Sequence, residues 1–290
     1  NNEVVANKSD EVLFIDNNMV VKYFDDKNKI SLREQRVQHL NETCPDIKRI
    51  NDNMYSYDYI NGELLSNVTD ENTLRDFLEW CEKNLFIKKS PDSDFDNNCF
   101  EMYTNKTNQR IDKLIDSELD KVTIINGIEV EPIKTMLSKI DWKSLCDNSI
   151  ASSFHGDLQP ENIIYNPTKN EFTLIDWRQS FGSSIEVGDV YYDLGKLYHA
   201  IMINGQSILK DMFSYERSGY SVDLNFYAKN NLVEFMKIFE TFCNDYQYDW
   251  KRVQLLGILQ YFSICTLYDN FKGGYYGDFL FLYGKYLLAK

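Results

Sequence analysis

Asp157, Asn162 and Asp176 carry the chemistry of this chain. Asp157 and Asn162 lie in His155-Gly156-Asp157-Leu158-Gln159-Pro160-Glu161-Asn162, and Asp176 closes Phe172-Thr173-Leu174-Ile175-Asp176. A carboxylate, an amide five positions on and a second carboxylate can divide the work of phosphoryl transfer. The first orients an attacking hydroxyl, while the other two hold magnesium against the phosphates. The intervening chain supplies the geometry. Asn162-Ile163-Ile164-Tyr165 predicts a strand, Asn166-Pro167-Thr168-Lys169-Asn170 a turn, and residues 171–175 the returning strand. Such a hairpin returns Asp176 to the side of Asn162. Asp, Asn and Pro also cluster in ordinary turns, so the hairpin is what favours chemistry.

An upstream half must then hold a nucleotide. Val12-Leu13-Phe14-Ile15 and Met19-Val20-Val21-Lys22-Tyr23-Phe24 read as paired strands around Asp16-Asn17-Asn18, with Lys22 placed to meet the α- and β-phosphates. Residues 30–40 show helical apolar spacing at Leu32, Val37 and Leu40 behind a Ser31 cap. Glu34, in the first turn of that expected helix, is the candidate partner of Lys22. Taken singly, these two residues fit a strand-edge lysine and a dipole-favoured glutamate equally well.

In this order the motifs resemble the aminoglycoside phosphotransferase and choline kinase superfamily, small-molecule kinases with a protein-kinase-like fold. The 155–164 segment resembles that family's H-G-D-x-x-x-x-N-I-L loop, Ile175-Asp176-Trp177 its I-D-W/F step, and Gly188-Asp189-Val190-Tyr191-Tyr192-Asp193-Leu194-Gly195 its D-x-x-x-D-L segment. Tyr57-Asp58-Tyr59-Ile60-Asn61-Gly62-Glu63-Leu64-Leu65 is similar to its hinge, which implies adenine contacts from the backbone of Asp58, Tyr59 and Ile60. The resemblance implies an α+β fold of two lobes. Residues 1–60 would form a small antiparallel-sheet lobe with one helix, 61–67 the hinge, and 68–290 a larger, mainly helical lobe. It implies ATP, or GTP, as phosphate donor and Mg2+ as cofactor.

The departures narrow the class. The first glycine is Gly62, so no Gly-rich loop covers the phosphates, and Asn7-Lys8-Ser9-Asp10 is the only candidate cover. Trp177-Arg178 follows Asp176, and no A-P-E segment comes after it, which argues against a protein kinase with a phospho-regulated activation loop. A net charge of −14 speaks against nucleic acid and anionic membrane surfaces as partners. The partners expected are a nucleotide and a small acceptor. Six scattered cysteines without metal spacing read as reduced thiols of a cytoplasmic protein. No signal peptide pattern is read, and the apolar run 255–267 is shorter than a bilayer span. The Asn1-Asn2 start suggests a module of a longer multidomain enzyme.

The remaining elements support these residues. Thr69-Asp70 is expected to cap a helix with an apolar stripe of Leu74, Phe77, Leu78, Cys81 and Leu85. Residues 121–130 predict a hairpin about Asn126-Gly127, and a helix from Pro132 is expected to end at Asp141-Trp142. Four helices are expected at 191–203, 224–243, 250–267 and 279–288, with Asp189 and Asp193 bracing the catalytic loop. For the acceptor, Trp177, Tyr192, Tyr268 and Tyr275 offer flat faces and Asp269 or Asp278 an acceptor of hydrogen bonds. Arg178 works against a bare quaternary ammonium and suits an acceptor bearing a phosphate or carboxylate. A sugar or polyol is therefore expected, with choline, ethanolamine or an aminoglycoside as alternatives. A catalytically silent module that keeps the fold is the rival to an enzyme.

Overall fold

In the computed structural model, residues 3–7, 10–16, 18–40, 42–68, 70–203, 205–268 and 271–290 are described. The expected phosphate cover at Lys8-Ser9, part of the Asp16–Asn18 turn, Thr69 and Asp269 lie outside them. Strands β1 (Glu3–Asn7), β2 (Glu11–Asp16), β3 (Met19–Phe24), β4 (Lys48–Asn51) and β5 (Met54–Asp58) form an antiparallel sheet in the order β1-β2-β3-β5-β4. Alternation along β3 sends Val20 and Phe24 into a core with Tyr55 and Tyr57. Helix α1 (Lys27–Val37) completes that core with Ile30. It starts four residues before the expected Ser31 cap, because the Asp26 side chain accepts from Asn28 N at 2.9 Å.

Strand β6 (Glu63–Leu64) pairs with β7 (Ile163–Asn166), which pairs in turn with β8 (Glu171–Leu174). Gly62, at φ +156°, sits where a Cβ would stand 2.5 Å from the Tyr165 carbonyl oxygen, so only glycine passes this crossing. Helix α2 (Glu71–Asn84) begins at Asp70, whose side chain accepts from Thr73 N at 2.8 Å. Its whole expected stripe, Leu74, Phe77, Leu78, Cys81 and Leu85, is buried. Each such side chain contributes about 1.5–3 kcal/mol.

By packing, the chain falls into two compact units, residues 1–95 with 150–193, and residues 96–149 with 194–290. The second holds a four-stranded sheet and the helices Leu232–Asp245, Trp250–Cys265 and Tyr275–Ala289. Two expectations are corrected here. Leu224 does not open a helix: Phe213–Ser218 and Ser221–Phe226 form a hairpin, in which Val222 and Leu224 are buried while Asp223 and Asn225 are exposed. That period of two is a strand's. Asp141 does not end a helix but starts one, Trp142–Asp147, by accepting from Ser144 N at 2.9 Å. All six cysteines are buried, with no disulfide among them. No helix among the described residues is long and apolar enough to cross a membrane.

Candidate active site

The site residues of the first unit are brought together by two hairpins and one helix. The β7–β8 register closes with Ile175 N donating to Asn162 O at 2.9 Å, so Asp176 leaves the ladder beside Asn162. Asp176 takes a left-handed backbone, φ 60°, which Asp and Asn tolerate better than most residues. Asn162 Nδ2 donates to Asp157 O at 2.9 Å and to Asp157 Oδ2 at 3.1 Å. Gln159 Nε2 approaches the same Oδ2 at 3.3 Å. With its amide nitrogen committed to Asp157, Asn162 would meet a cation through its amide oxygen, the atom of an asparagine side chain that ligates magnesium.

The loop around Asp157 is fixed from beneath. Asp193, fully buried, accepts from His155 N at 2.6 Å and from Gly156 N at 2.7 Å. Burial pushes the Asp193 carboxyl up to about 7, against the lowering effect of those two N–H groups. Gly156 has φ +88°, and a Cβ there would meet Arg178 Cβ at 2.6 Å. His155 receives Asp157 N on Nδ1 at 3.2 Å and donates Nε2–H to Ile175 O at 2.9 Å. Burial pulls its pKa down to about 4, so the ring is neutral and braces the loop. Asp189 supports the next turn, accepting from Ile150 N at 2.9 Å.

Lys22 is buried on β3 and forms an ion pair with Asp176 and a second, at 3.1 Å, with Glu11 on β2. Glu34 is not its partner. That side chain is 42% exposed and pairs with Arg49 at 3.3 Å. Starting α1 at Lys27 turns Ile30, Arg33 and Arg36 inward, and residue 34 then points about 100° away from Arg33. Arg33, missed in the sequence, reaches Asp176 Oδ1 at 3.3 Å and Tyr55 Oη at 3.2 Å, with its guanidinium 4.7 Å from the centre of the Phe24 ring. Arg36 donates to Phe154 O, at the head of the loop that carries Asp157, and lies over the Phe154 ring. The signals for these residues were present. The β2–β3 register sets Glu11 diagonal to Lys22, and three-residue spacing aligns both arginines with Ile30.

The remaining expected residues are dispersed. Tyr59 N donates to Asn18 O at 2.8 Å, an intrachain bond that commits the amide expected at the adenine, and Asp58 and Ile60 flank it at the end of β5. Trp177 and Tyr192 are fully buried, Trp177 donating to Arg33 O at 3.2 Å and stacking on Tyr55, Tyr192 packing on Phe181. Both are core residues, with no face left for an acceptor. Arg178 is half-buried, its Nε on Ser180 O at 3.1 Å. In the second unit Tyr275 stacks on Tyr215 at 4.6 Å and exchanges hydrogen bonds with its backbone, while Tyr268 packs on Tyr276.

The atoms that Asp176 and Asn162 would offer a cation are oxygens, which suits a hard ion such as magnesium. Among the described residues no group of three or more His, Cys, Asp or Glu side chains is arranged to hold a metal. A magnesium ion held by one or two protein oxygens would complete its shell with phosphates and water.

No protein-family model matches the chain, and neither does any curated protein sequence. Solved structures do. A putative fructosamine-3-kinase from Thermobifida fusca matches at 12% identity with a TM-score of 0.57, over 99% of this chain and 93% of its own. Choline kinase LicA from Streptococcus pneumoniae matches at 16% identity and 0.55, over 100% and 93%. The aminoglycoside phosphotransferase APH(3'')-Id from Streptomyces rimosus, solved with ADP and streptomycin, matches at 13% and 0.55, over 87% and 90%. At these identities the likeness is one of fold. The chain therefore shares the α+β fold of these kinase structures.

Proposed function

We propose that this protein is a magnesium-dependent small-molecule kinase that transfers the γ-phosphoryl of ATP to a hydroxyl. The observation that carries the reading is the convergence of Asp157, Asn162, Asp176 and Lys22 in one unit of the fold, joined by hydrogen bonds and ion pairs. Residues 1–60 form the nucleotide-binding lobe, 61–67 the hinge and 68–290 the lobe of the acceptor. Asp157 accepts the hydroxyl proton as the oxygen attacks phosphorus. Asn162 and Asp176 would hold a magnesium ion, which would supply charge neutralisation to the phosphates. Lys22 leaves Asp176 for the phosphates. Catalysis of this kind is positioning and electrostatics. The protein-kinase-like fold, shared with structures solved as kinases of hydroxyl-bearing small molecules, supports the class.

The acceptor is sugar-like or polyol-like. Arg178, two residues after Asp176 and half-buried, disfavours a bare quaternary ammonium. The aromatic half of that argument is weaker than the sequence implied, since Trp177 and Tyr192 belong to the core. Phosphorylation assays on matched panels of sugars, amino alcohols and aminoglycosides, with ATP and GTP, test the class. Asp157→Asn should lower turnover about a hundredfold to ten-thousandfold with nucleotide affinity retained. Near-normal turnover in that variant, or no turnover of any acceptor by the native chain, would sink the reading.

A further inference from the structure

We propose that Arg33 is the positioning residue of the metal-holding aspartate, and that Glu11 positions the phosphate lysine. The inference rests on the kinase reading of the same site and adds two residues to it. In the design expected from sequence, one lysine–glutamate pair from a helix would order the site. Here that task is split between a strand glutamate and a helix arginine.

Arg33 and the Asp176-Trp177 step hold each other in both directions. The guanidinium of Arg33 reaches Asp176 Oδ1 at 3.3 Å, and Trp177 Nε1 donates back to the Arg33 carbonyl oxygen at 3.2 Å. Two successive residues are thereby tied to one, and the second tie uses a tryptophan that is fully buried. Arg33 itself is seated by Tyr55 Oη at 3.2 Å and by the Phe24 ring. A merely structural arginine is a poor choice for this place, because its Nε is buried without a hydrogen-bond partner. Burying a donor unpaired is costly, and an apolar side chain of similar length would fill the space without that cost.

The charge arrangement explains what Arg33 does. Among the described residues, Lys22, Arg33, Glu11 and Asp176 are joined by ion pairs in which Asp176 meets two cations and Lys22 two anions. Side-chain exposure is 1% for Lys22, 7% for Arg33, 16% for Glu11 and 28% for Asp176, so Asp176 is the member most open to an incoming cation. When phosphates draw Lys22 away, Arg33 stays with Asp176 and keeps its carboxylate aimed, and Glu11 keeps Lys22 extended along β3. Outer partners of this kind set metal affinity by orienting the ligand, and their loss typically costs about 10–100-fold.

The test is calorimetric titration of a non-hydrolysable ATP analogue, with and without Mg2+, into the native chain and the variants Arg33→Met, Arg33→Lys, Glu11→Gln and Glu34→Gln. Thermal denaturation establishes that each is folded. Arg33→Met should cut the magnesium-dependent gain in affinity by about tenfold or more and leave metal-free affinity within about twofold. Arg33→Lys, which keeps the charge and loses the fork, should fall between it and the native chain. Glu11→Gln should weaken binding equally with and without metal, and Glu34→Gln should change neither. A native magnesium gain in Arg33→Met overturns the proposal for Arg33, as it does in Arg33→Lys if the methionine variant fails to fold. Glu34→Gln matching Glu11→Gln overturns the assignment of Glu11. If the native chain binds no nucleotide at all, the kinase reading falls and takes this inference with it, whereas native binding untouched by these substitutions overturns the inference alone.

Discussion

Two lysine–aspartate pairs built on buried lysines, one in each unit, have opposite characters. Lys285 and Asp120 in the second unit are 0% and 2% exposed, and every bond closes inward. Lys285 Nζ donates to Asp120 O at 2.9 Å, to Asp120 Oδ1 at 3.3 Å and to Val122 O at 3.3 Å, while Asp120 also accepts from Ile133 N at 2.7 Å and Asp116 N at 3.2 Å. The partners are mainly backbone, so the pair ties residues 116–133 to the C-terminal helix. Lys22–Asp176 in the first unit is held by other charges instead. Its carboxylate is shared between two cations, keeps 28% of its side chain in solvent and sits on a left-handed backbone. A closed pair with backbone partners is a fastening. A pair whose members each have a second ionic partner, and whose carboxylate faces water, can exchange partners, as the proposed phosphate-and-metal site requires.

The comparison breaks most directly at the lysines. Lys285→Met leaves Asp120 buried and uncompensated, and should cost about 3–5 kcal/mol of stability with nucleotide affinity unchanged in the folded fraction. Lys22→Met should do the reverse. Asp176 keeps Arg33 and its solvent exposure, and Glu11 is only partly buried, so less stability is lost than in Lys285→Met, while nucleotide binding is lost. Chemical denaturation and nucleotide titration on both variants measure the two halves. Equal destabilisation would erase the distinction.

The sequence was most legible where one local rule decides the outcome. The 163–174 hairpin could be read because apolar strands flank a turn in which Asn166 Oδ1 accepts from Thr168 N and Lys169 N. The α2 stripe could be read from its period alone. The partner of Lys22 could not, because moving a cap from Ser31 to Asp26 changes which residues are taken to open the helix. Glu34 then looked like a first-turn glutamate, although the face turned inward carries Arg33 and Arg36. Trp177 and Tyr192 were misread for another reason. An aromatic side chain suits a core and a ligand equally well, and only the packing around it decides between them.

A pH titration sharpens the same contrast, because the first unit carries a buried neutral histidine in its site. Burial lowers the His155 pKa from 6.5 to about 4. As pH falls the unfolded chain takes up this proton first, so the stability that neutral His155 contributes is complete above pH 6.5 and is lost between 6.5 and about 4. At about 1.4 kcal/mol per unit, this amounts to about 3 kcal/mol. Asp193 opposes it. With its carboxyl pushed up from 3.8 to about 7, its contribution is present at low pH and disappears as pH rises through that window. The native profile is thus flattened, and the difference between native and His155→Gln isolates the histidine. Denaturation at several pH values should show the native chain losing about 3 kcal/mol more than the variant across the window. Parallel profiles would mean the ring is not held neutral.

The smallest effect bears on whether Trp177 belongs to the acceptor or to the clasp around Asp176. Trp177→Phe keeps an aromatic ring stacked on Tyr55 and removes only the benzo ring edge and the Nε1–H bond to Arg33 O. The lost hydrogen bond is worth about 0.5–1.5 kcal/mol. Because the helix side of the clasp is loosened while the Arg33–Asp176 contact remains, the magnesium-dependent gain in nucleotide affinity should fall, but by less than in Arg33→Met. The acceptor KM should not move, since the side chain is fully buried and reaches no open face. Steady-state kinetics in acceptor and titration with Mg2+ read the two quantities separately. An acceptor KM raised with the magnesium gain intact would return Trp177 to the acceptor site and reduce its bond to Arg33 to core packing, leaving Arg33 to hold Asp176 by its side chain alone.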